Sequence, residues 1–453
     1  MPTDQLDRPR VAHDVAPARG ARVLHRIGAL RHTSPGRLQL ILAGLLALGL
    51  LTGLVSGLAA RAAATGTTDL GGRAQPLLIE AETIYSALAD ADTTAAQAFL
   101  AGGLEPPGLT DLYNKDLQRA TTALASAARR TPQGGPSAEA IRELSSGVAR
   151  YAALVATARA NNRQGLPVGA AYLSEASTLN RDTLLPQAQT LFRTAQAEVD
   201  AGYGDARSSV WVSLLALLLV ALLVALVLAQ RYLSRTTHRT FNLPLLAATV
   251  VTAVLALGAG GVLAHQRAHL HTADTEGSAP VAQLAEARIL ALRERGDEAL
   301  TLAARSGDDA PIPDPRGGPR TYEADFTAVD QQLHELLDRL AADLDGPAAS
   351  SVGEAGRQLT GYTAAHTKVR TLAKDGDYDA AVGLAISDAT SATFGAGTQA
   401  IGDALADRRA AFTDAIGTAG NGLGVVTVLG PLLALLVCGL AVAGIRTRLE
   451  EYR

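Results

Sequence analysis

His265, His269 and His271 come closest to a metal-binding pattern. The first two stand at i and i+4, which puts both rings on one helix face, and paired imidazoles of that kind suit transition metals. No carboxylate follows until Asp274 and Glu276. Solvated histidines at the end of an apolar run are therefore the expectation. Asp375, Asp377 and Asp379 alternate like the start of a calcium loop. Such a loop requires Gly at its sixth position and Glu at its twelfth. Those positions hold Ala380 and Ile386, so the pattern predicts a turn with an aspartate N-cap instead. The chain carries no phosphate-binding loop with a terminal Lys, no Gly-x-Ser-x-Gly, no His-Glu-x-x-His and no dinucleotide fingerprint. Cys438 is the single cysteine, which excludes an intrachain disulfide and a Cys-rich metal site. No enzyme activity, metal or cofactor is expected.

What chemistry there is must be positioned by helices. Of 453 residues, 48% are hydrophobic but only 4% aromatic, and the excess is Ala, Leu and Val. The basic residues are nearly all arginine, a composition typical of GC-rich coding. The formal net charge of -4 gives no reason to expect a nucleic-acid partner. Four stretches lack Asp, Glu, Lys and Arg: 38–60, 210–229, 243–264 and 422–445. Each has the roughly 20 residues that cross a bilayer as a helix. The first is longer than the roughly 7–15 residues of a signal core and follows a tail of 37, so it reads as a span.

Arginine sets the orientation. The tail 1–37 holds seven arginines, among them Arg22, Arg26, Arg31 and Arg37. The link 230–242 holds Arg231, Arg235 and Arg239 with no acid, and the end 446–453 holds Arg446, Arg448 and Arg453. Positive charge flanking spans stays in the cytoplasm. Both termini and the link are then inside the cell membrane, and segments 61–209 and 265–421 are outside.

These two outer segments resemble each other. Glu143, Tyr151, Arg159, Gly165 and Leu173 pair with Glu354, Tyr362, Arg370, Gly376 and Leu384 at one offset of 211. Tyr113 and Leu124 pair with Tyr322 and Leu333 at 209, and Pro76, Ala81, Glu82 and Leu88 with Pro280, Ala285, Glu286 and Leu292 at 204. Offsets that change only in loops are the trace of duplication with loop insertions. Coincidence in Ala-rich helices is the alternative. Gly/Pro breaks at 102–108, 132–136 and 165–167, and at 307–319, 346–347 and 376, divide each segment into four helices. Ser137 reads as an N-cap, and Ser351 with Glu354 as a capping box. The fold class is all-α: four transmembrane helices with two duplicated extracytoplasmic four-helix bundles.

Within the spans, Gly49, Gly53 and Gly57 form a stripe that allows close backbone approach, and Ala256, Gly260 and Ala264 form another. The span at 210–229 has no glycine and reads as facing lipid. Pro431 should kink the last span, and Gly422 with Gly424 should serve as a hinge before it. In the link, Arg231, Arg235, His238 and Arg239 either touch anionic headgroups or dock a cytoplasmic partner.

Four spans, paired outer bundles and little cytoplasmic mass resemble the actinobacterial GlnX membrane proteins. The resemblance covers nearly the whole chain and rests on architecture and the paired residues, without a short diagnostic motif. It implies a membrane sensor that works with a glutamine-binding-type solute-binding lipoprotein outside and a Ser/Thr kinase pathway inside, with an external acidic amino acid as signal. No ligand residue carries over. No catalytic or coiled-coil output domain follows any span, so an output requires a separate protein. The alternative is a static membrane scaffold for an envelope assembly.

Overall fold

The computed structural model describes residues 34–449 except 101–104, 106, 133, 208–209, 238–241, 305–310 and 313–319. The basic tail up to 33, His238, Arg239 and the final residues 450–453 lie outside the described residues. The rest is helical apart from short turns and one two-residue antiparallel pair, β1 (Pro311–Ile312) with β2 (Arg320–Thr321). Four helical stretches are long and apolar enough to cross a membrane: Gly36–Phe99, Val210–Arg235, Leu243–Ala299 and Tyr378–Arg446. The chain divides into two compact units. One comprises 1–62, 209–263 and 422–453; the other comprises 63–208 and 264–421.

The first unit holds the spans: the start of α1 (Ser34–Asp69), α7 (Val210–Thr237), the start of α8 (Leu243–Thr272) and α14 (Leu423–Leu449). Gly49, Gly53 and Gly57 on α1 face α14. A Cβ added at Gly49 would stand 2.6 Å from Cys438 Sγ, one at Gly53 2.9 Å from Ala434 Cβ, and one at Gly57 3.4 Å from Pro431 Cγ. At Gly49 and Gly53 only hydrogen leaves room for that approach; at Gly57 an added Cβ would make ordinary contact. Helix α7 does not simply face lipid as its composition suggests. Leu215, Leu219, Leu222, Leu226, Ala229 and Leu233 are buried at alternating steps of four and three, while Leu217, Val220, Val224 and Val227 are exposed. Such spacing makes a leucine seam that packs without glycine.

Helix α8 also departs from its small-residue pattern. Gly260 and Ala264 are exposed, and an added Cβ at Gly260 would meet nothing within 4 Å. Its buried row is Ala248, Thr252, Leu255, Ala259 and Leu263, because the face with leucines removes more area from the surroundings. Helix α7 continues to Thr237 and carries Arg231 and Arg235 of the link as helical, exposed residues. Two polar side chains tie the spans together. Gln230 Nε2 donates to Leu245 O at 2.9 Å and to Thr249 Oγ1 at 2.6 Å, and Asn242 Nδ2 donates to Gly444 O at 2.9 Å. Gly422, at φ +82°, ends the turn before α14; Gly424 and Pro431 lie inside that helix.

The second unit contains both remaining segments, and they follow one order. In the first, a π-helical turn (Leu70–Ala74) leads into α2 (Gln75–Leu100), α3 (Pro107–Arg130) and α4 (Pro136–Arg163). Then α5 (Val168–Leu179), a second π-helical turn (Asn180–Leu184) and α6 (Leu185–Arg207) make one continuous rod. In the second, a π-helical turn (Ala273–Ser278) leads into α9 (Ala279–Ala304), α10 (Tyr322–Asp343), α11 (Gly346–Lys374), the short α12 (Tyr378–Ala385) and α13 (Asp388–Ala419). Tyr151 and Tyr362 are both fully buried. Tyr113 lies 6.5 Å from Tyr151 between ring centres, and Phe326 lies 6.4 Å from Tyr362. Gly165 (φ +70°) and Gly376 (φ +86°) close the same turn in a conformation that disfavours any Cβ.

Helix starts differ in detail from the sequence reading. Gly135 and Asp345 precede α4 and α11, each of which has Pro in its first turn, so Ser137 and Ser351 lie inside helices. Asp377 does cap α12, accepting from Ala380 N at 3.2 Å. The two segments share one hydrophobic core instead of standing as separate bundles. Buried polar ties cross between them. Tyr203 Oη lies 2.8 Å from Ser278 Oγ, and Gln266 Nε2 donates to Thr67 Oγ1 at 3.1 Å.

Candidate ligand cavity

A cavity of about 360 Å³ opens where α2 and α6 of the first segment meet α9 and α10 of the second. That volume is in the range of small-molecule sites. Its walls mix apolar groups with charge, and each comes from an identifiable feature of the chain.

The π-helical turn at Asn180–Leu184 widens the rod at its start. Asn180 is buried and donates to Leu88 O at 3.2 Å, which leaves the adjacent Arg181 on the cavity side. The Arg181 guanidinium sits 4.8 Å above the Tyr322 ring. Further along the rod, Phe192 and Arg193 line the same wall. Helix α2 adds Tyr85 and Asp92. Asp92 accepts from Ser177 Oγ at 2.9 Å and Tyr151 Oη at 3.2 Å; burial raises its pKa, partly opposed by the charge of Arg181.

Helix α9 supplies the remaining wall through Glu286, Ile289, Arg293 and Asp297. Arg293 Nε donates to Asp325 Oδ2 at 2.9 Å. Asp297 is 5% exposed, and its Oδ2 has no hydrogen-bond partner. Burial, reinforced by the charge of Asp325, pushes its carboxyl up to about 8. At neutral pH the group is therefore mostly protonated, and one of its oxygens carries a hydrogen.

Behind this wall the same stretch of α9 is packed with charge. Glu294, Arg295, Asp297 and Glu298 are all buried. Glu294 has neither oxygen hydrogen-bonded, and burial, with the charges of Asp330 and Asp297, raises its pKa well above the usual range. Arg295 lies over Tyr362 and Phe394 at 5.5 and 5.3 Å. His366 bridges Glu298 and Glu323, and Arg370 Nη1 reaches Glu323 Oε1 at 2.6 Å.

The site residues read from the sequence lie elsewhere. Gly49, Gly53, Gly57, Ala256, Gly260, Gly422, Gly424, Pro431, Arg231 and Arg235 all belong to the other unit, which holds the spans. His265 and His269 have ring centres 4.3 Å apart, and among the described residues no group of three His, Cys, Asp or Glu converges as a metal site. One signal for the cavity was present. Residues 293–298, Arg-Glu-Arg-Gly-Asp-Glu, place five charges in six consecutive helical positions. At about 100° per residue these spread over an arc of roughly 200°, wider than a single solvent-facing stripe.

Residues 66–204, the first segment with the end of α1, match a family described as Actinobacterial sensor domain. Neither the curated proteins nor the solved structures gave a match. The matched stretch includes Asp92, Arg181 and Arg193, so the part of the chain similar to a sensor domain carries one wall of the cavity.

Proposed function

We propose that the chain is a non-enzymatic, multi-pass sensor of the cell membrane with both termini in the cytoplasm. Its second unit faces outward, receives a signal and passes it through the spans to a separate cytoplasmic partner. The observation that carries this is helix continuity. The stretch Gly36–Phe99 bears both a span and Tyr85 and Asp92 of the cavity wall, and Leu243–Ala299 bears both a span and Arg293 and Asp297. A helix that runs from a span to a ligand site offers a path by which a rearrangement at one can reach the other. The paired segments are read as a duplication, which gives the sensor two walls that move against each other. The resemblance to GlnX proteins supports an amino acid as signal, arriving directly or on a solute-binding lipoprotein, and a Ser/Thr kinase pathway as recipient.

The test is crosslinking in intact cells with reagents confined to each face, followed by identification of what is attached. A sensor yields one partner outside and a signalling protein inside. Recovery of wall-synthesis proteins alone makes the chain a static scaffold.

A further inference from the structure

We propose that the groove between α1 and α7, at the end that carries the basic link, binds one anionic phospholipid. Its phosphate would lie at Arg231 and Arg235, and one acyl chain would run along the groove. Such a site would exist whether or not the chain senses; it requires only that α1 and α7 cross the membrane.

The groove, of about 570 Å³, is left by small residues on both helices. Gly44 on α1 is exposed, and a Cβ added there would meet nothing within 4 Å. Ala225 and Ala229 line the α7 side, and Ile41, Leu45 and Leu48 the α1 side. The spacing 41, 44, 45 and 48 keeps the α1 wall on one helix face. Leu228, 59% exposed, lies at the open side of the groove. In a membrane that side meets acyl chains, and an empty gap beside apolar walls would forfeit the dispersion contacts a chain supplies.

Charge then selects among lipids. Arg231 and Arg235 line the same groove, four residues apart and so on one face of α7. Both are exposed, and neither has a carboxylate partner among the described residues. None of the four spans can supply one: the chain has no Asp or Glu between Asp14 and Asp69, between Asp205 and Asp274, or between Asp414 and Glu450. Tyr232, half-buried in the same lining, sits where interface tyrosines are common. Guanidinium groups take phosphate oxygens in paired hydrogen bonds. A zwitterionic lipid would bring its own cation against the two arginines, whereas an anionic headgroup does not. Basic pockets between spans are a recurrent seat for such headgroups.

Vesicles of equal parts phosphatidylglycerol and phosphatidylcholine, with chains of distinguishable mass, offer both lipids to the full-length protein. Native mass spectrometry after mild detergent extraction counts what stays bound. The wild type should retain one phosphatidylglycerol in preference to phosphatidylcholine by roughly tenfold or more. Arg231→Gln, which leaves Arg235 and the basic tail to hold orientation, should lose most of that preference at an unchanged melting temperature. Gly44→Leu should fill the groove and displace the lipid with every arginine intact. Arg446→Gln removes an equal charge from the exposed end of α14, outside the groove, and should retain lipid as the wild type does. Equal retention of the two lipids overturns the site. So does a loss with Arg446→Gln as large as with Arg231→Gln, which reduces the attraction to general surface charge, or a folded Gly44→Leu variant that holds the lipid unchanged. Whether the chain spans a membrane is read separately from its resistance to alkaline extraction, and whether it senses from its crosslinked partners.

Discussion

His366 Nδ1 stands 2.8 Å from a Glu298 carboxylate oxygen inside the second segment, and its Nε2 stands 3.2 Å from Glu323. Burial alone would lower the imidazole pKa. The hydrogen bonds to the two glutamates outweigh it and raise the value to about 9. A raised folded-state pKa stabilises fully below the unfolded value of about 6.5 and is lost as pH rises through the folded one. Asp297, pushed up to about 8, acts in the same direction at lower pH, because the folded state holds its proton longer. Thermal unfolding of the full-length protein should therefore show stability falling between about pH 6.5 and 9. His366→Gln should be less stable at pH 6.5, by about 1–3 kcal/mol, and flatter across that window. A wild type as stable at pH 9.5 as at 6.5 would count against the charged bridge.

The glycine contact between α1 and α14 gives a second expectation. Gly53→Leu puts a side chain where Ala434 Cβ already stands 2.9 Å from an added Cβ, and should destabilise the spans by about 1–3 kcal/mol. Val224→Leu, on the exposed face of α7, should change little. Melting of the two variants in the same detergent decides, and equal losses would contradict a close α1–α14 contact.

Orientation is checked by reporters. A cytoplasm-dependent reporter should be active after Arg453 or near Thr237 and silent near Gly134 or Gly317. Activity at either of the last two positions would invert the topology that the arginines indicate.

A partner that docks at the link between α7 and α8 would depend on its arginines. Arg235 is exposed on α7, while Arg239 lies outside the described residues. Replacing both by Gln leaves Arg231 and the basic tail to hold topology. The variant should insert normally, retain its external partner and lose its internal one. Full recovery of the internal partner would leave these arginines as topology and headgroup contacts only.

The four spans were legible because length and absence of charge are local properties. So were the turns at Gly165 and Gly376, where one residue type dominates the backbone choice. The joining of both segments in one core was not legible. Their apolar faces read alike whether each closes on itself or on the other, and only tertiary contact decides. The cavity escaped for a related reason. Asp297, Glu294 and Arg295 are charged residues in a helix, and such residues belong to solvent by default. The seam on α7 was hidden by uniform composition. A row such as Leu215, Leu222 and Ala229 cannot be told from lipid-facing Leu and Val where every position is apolar; here Ala229 is buried and Leu228 exposed.

Movement of the two cavity walls should reach the inner ends of the spans, and this can be measured without knowing the ligand. Gln189→Cys and Glu286→Cys place one thiol on each wall, in a Cys438→Ala background. A short bismaleimide then locks the walls together. Spin labels carried by unnatural amino acids at positions 234 and 446, both exposed near the inner ends of α7 and α14, report their separation by pulsed electron resonance in nanodiscs. If the walls drive the spans, locking shifts or narrows the distance distribution between the labels. Identical distributions with the crosslink fully formed would contradict that coupling.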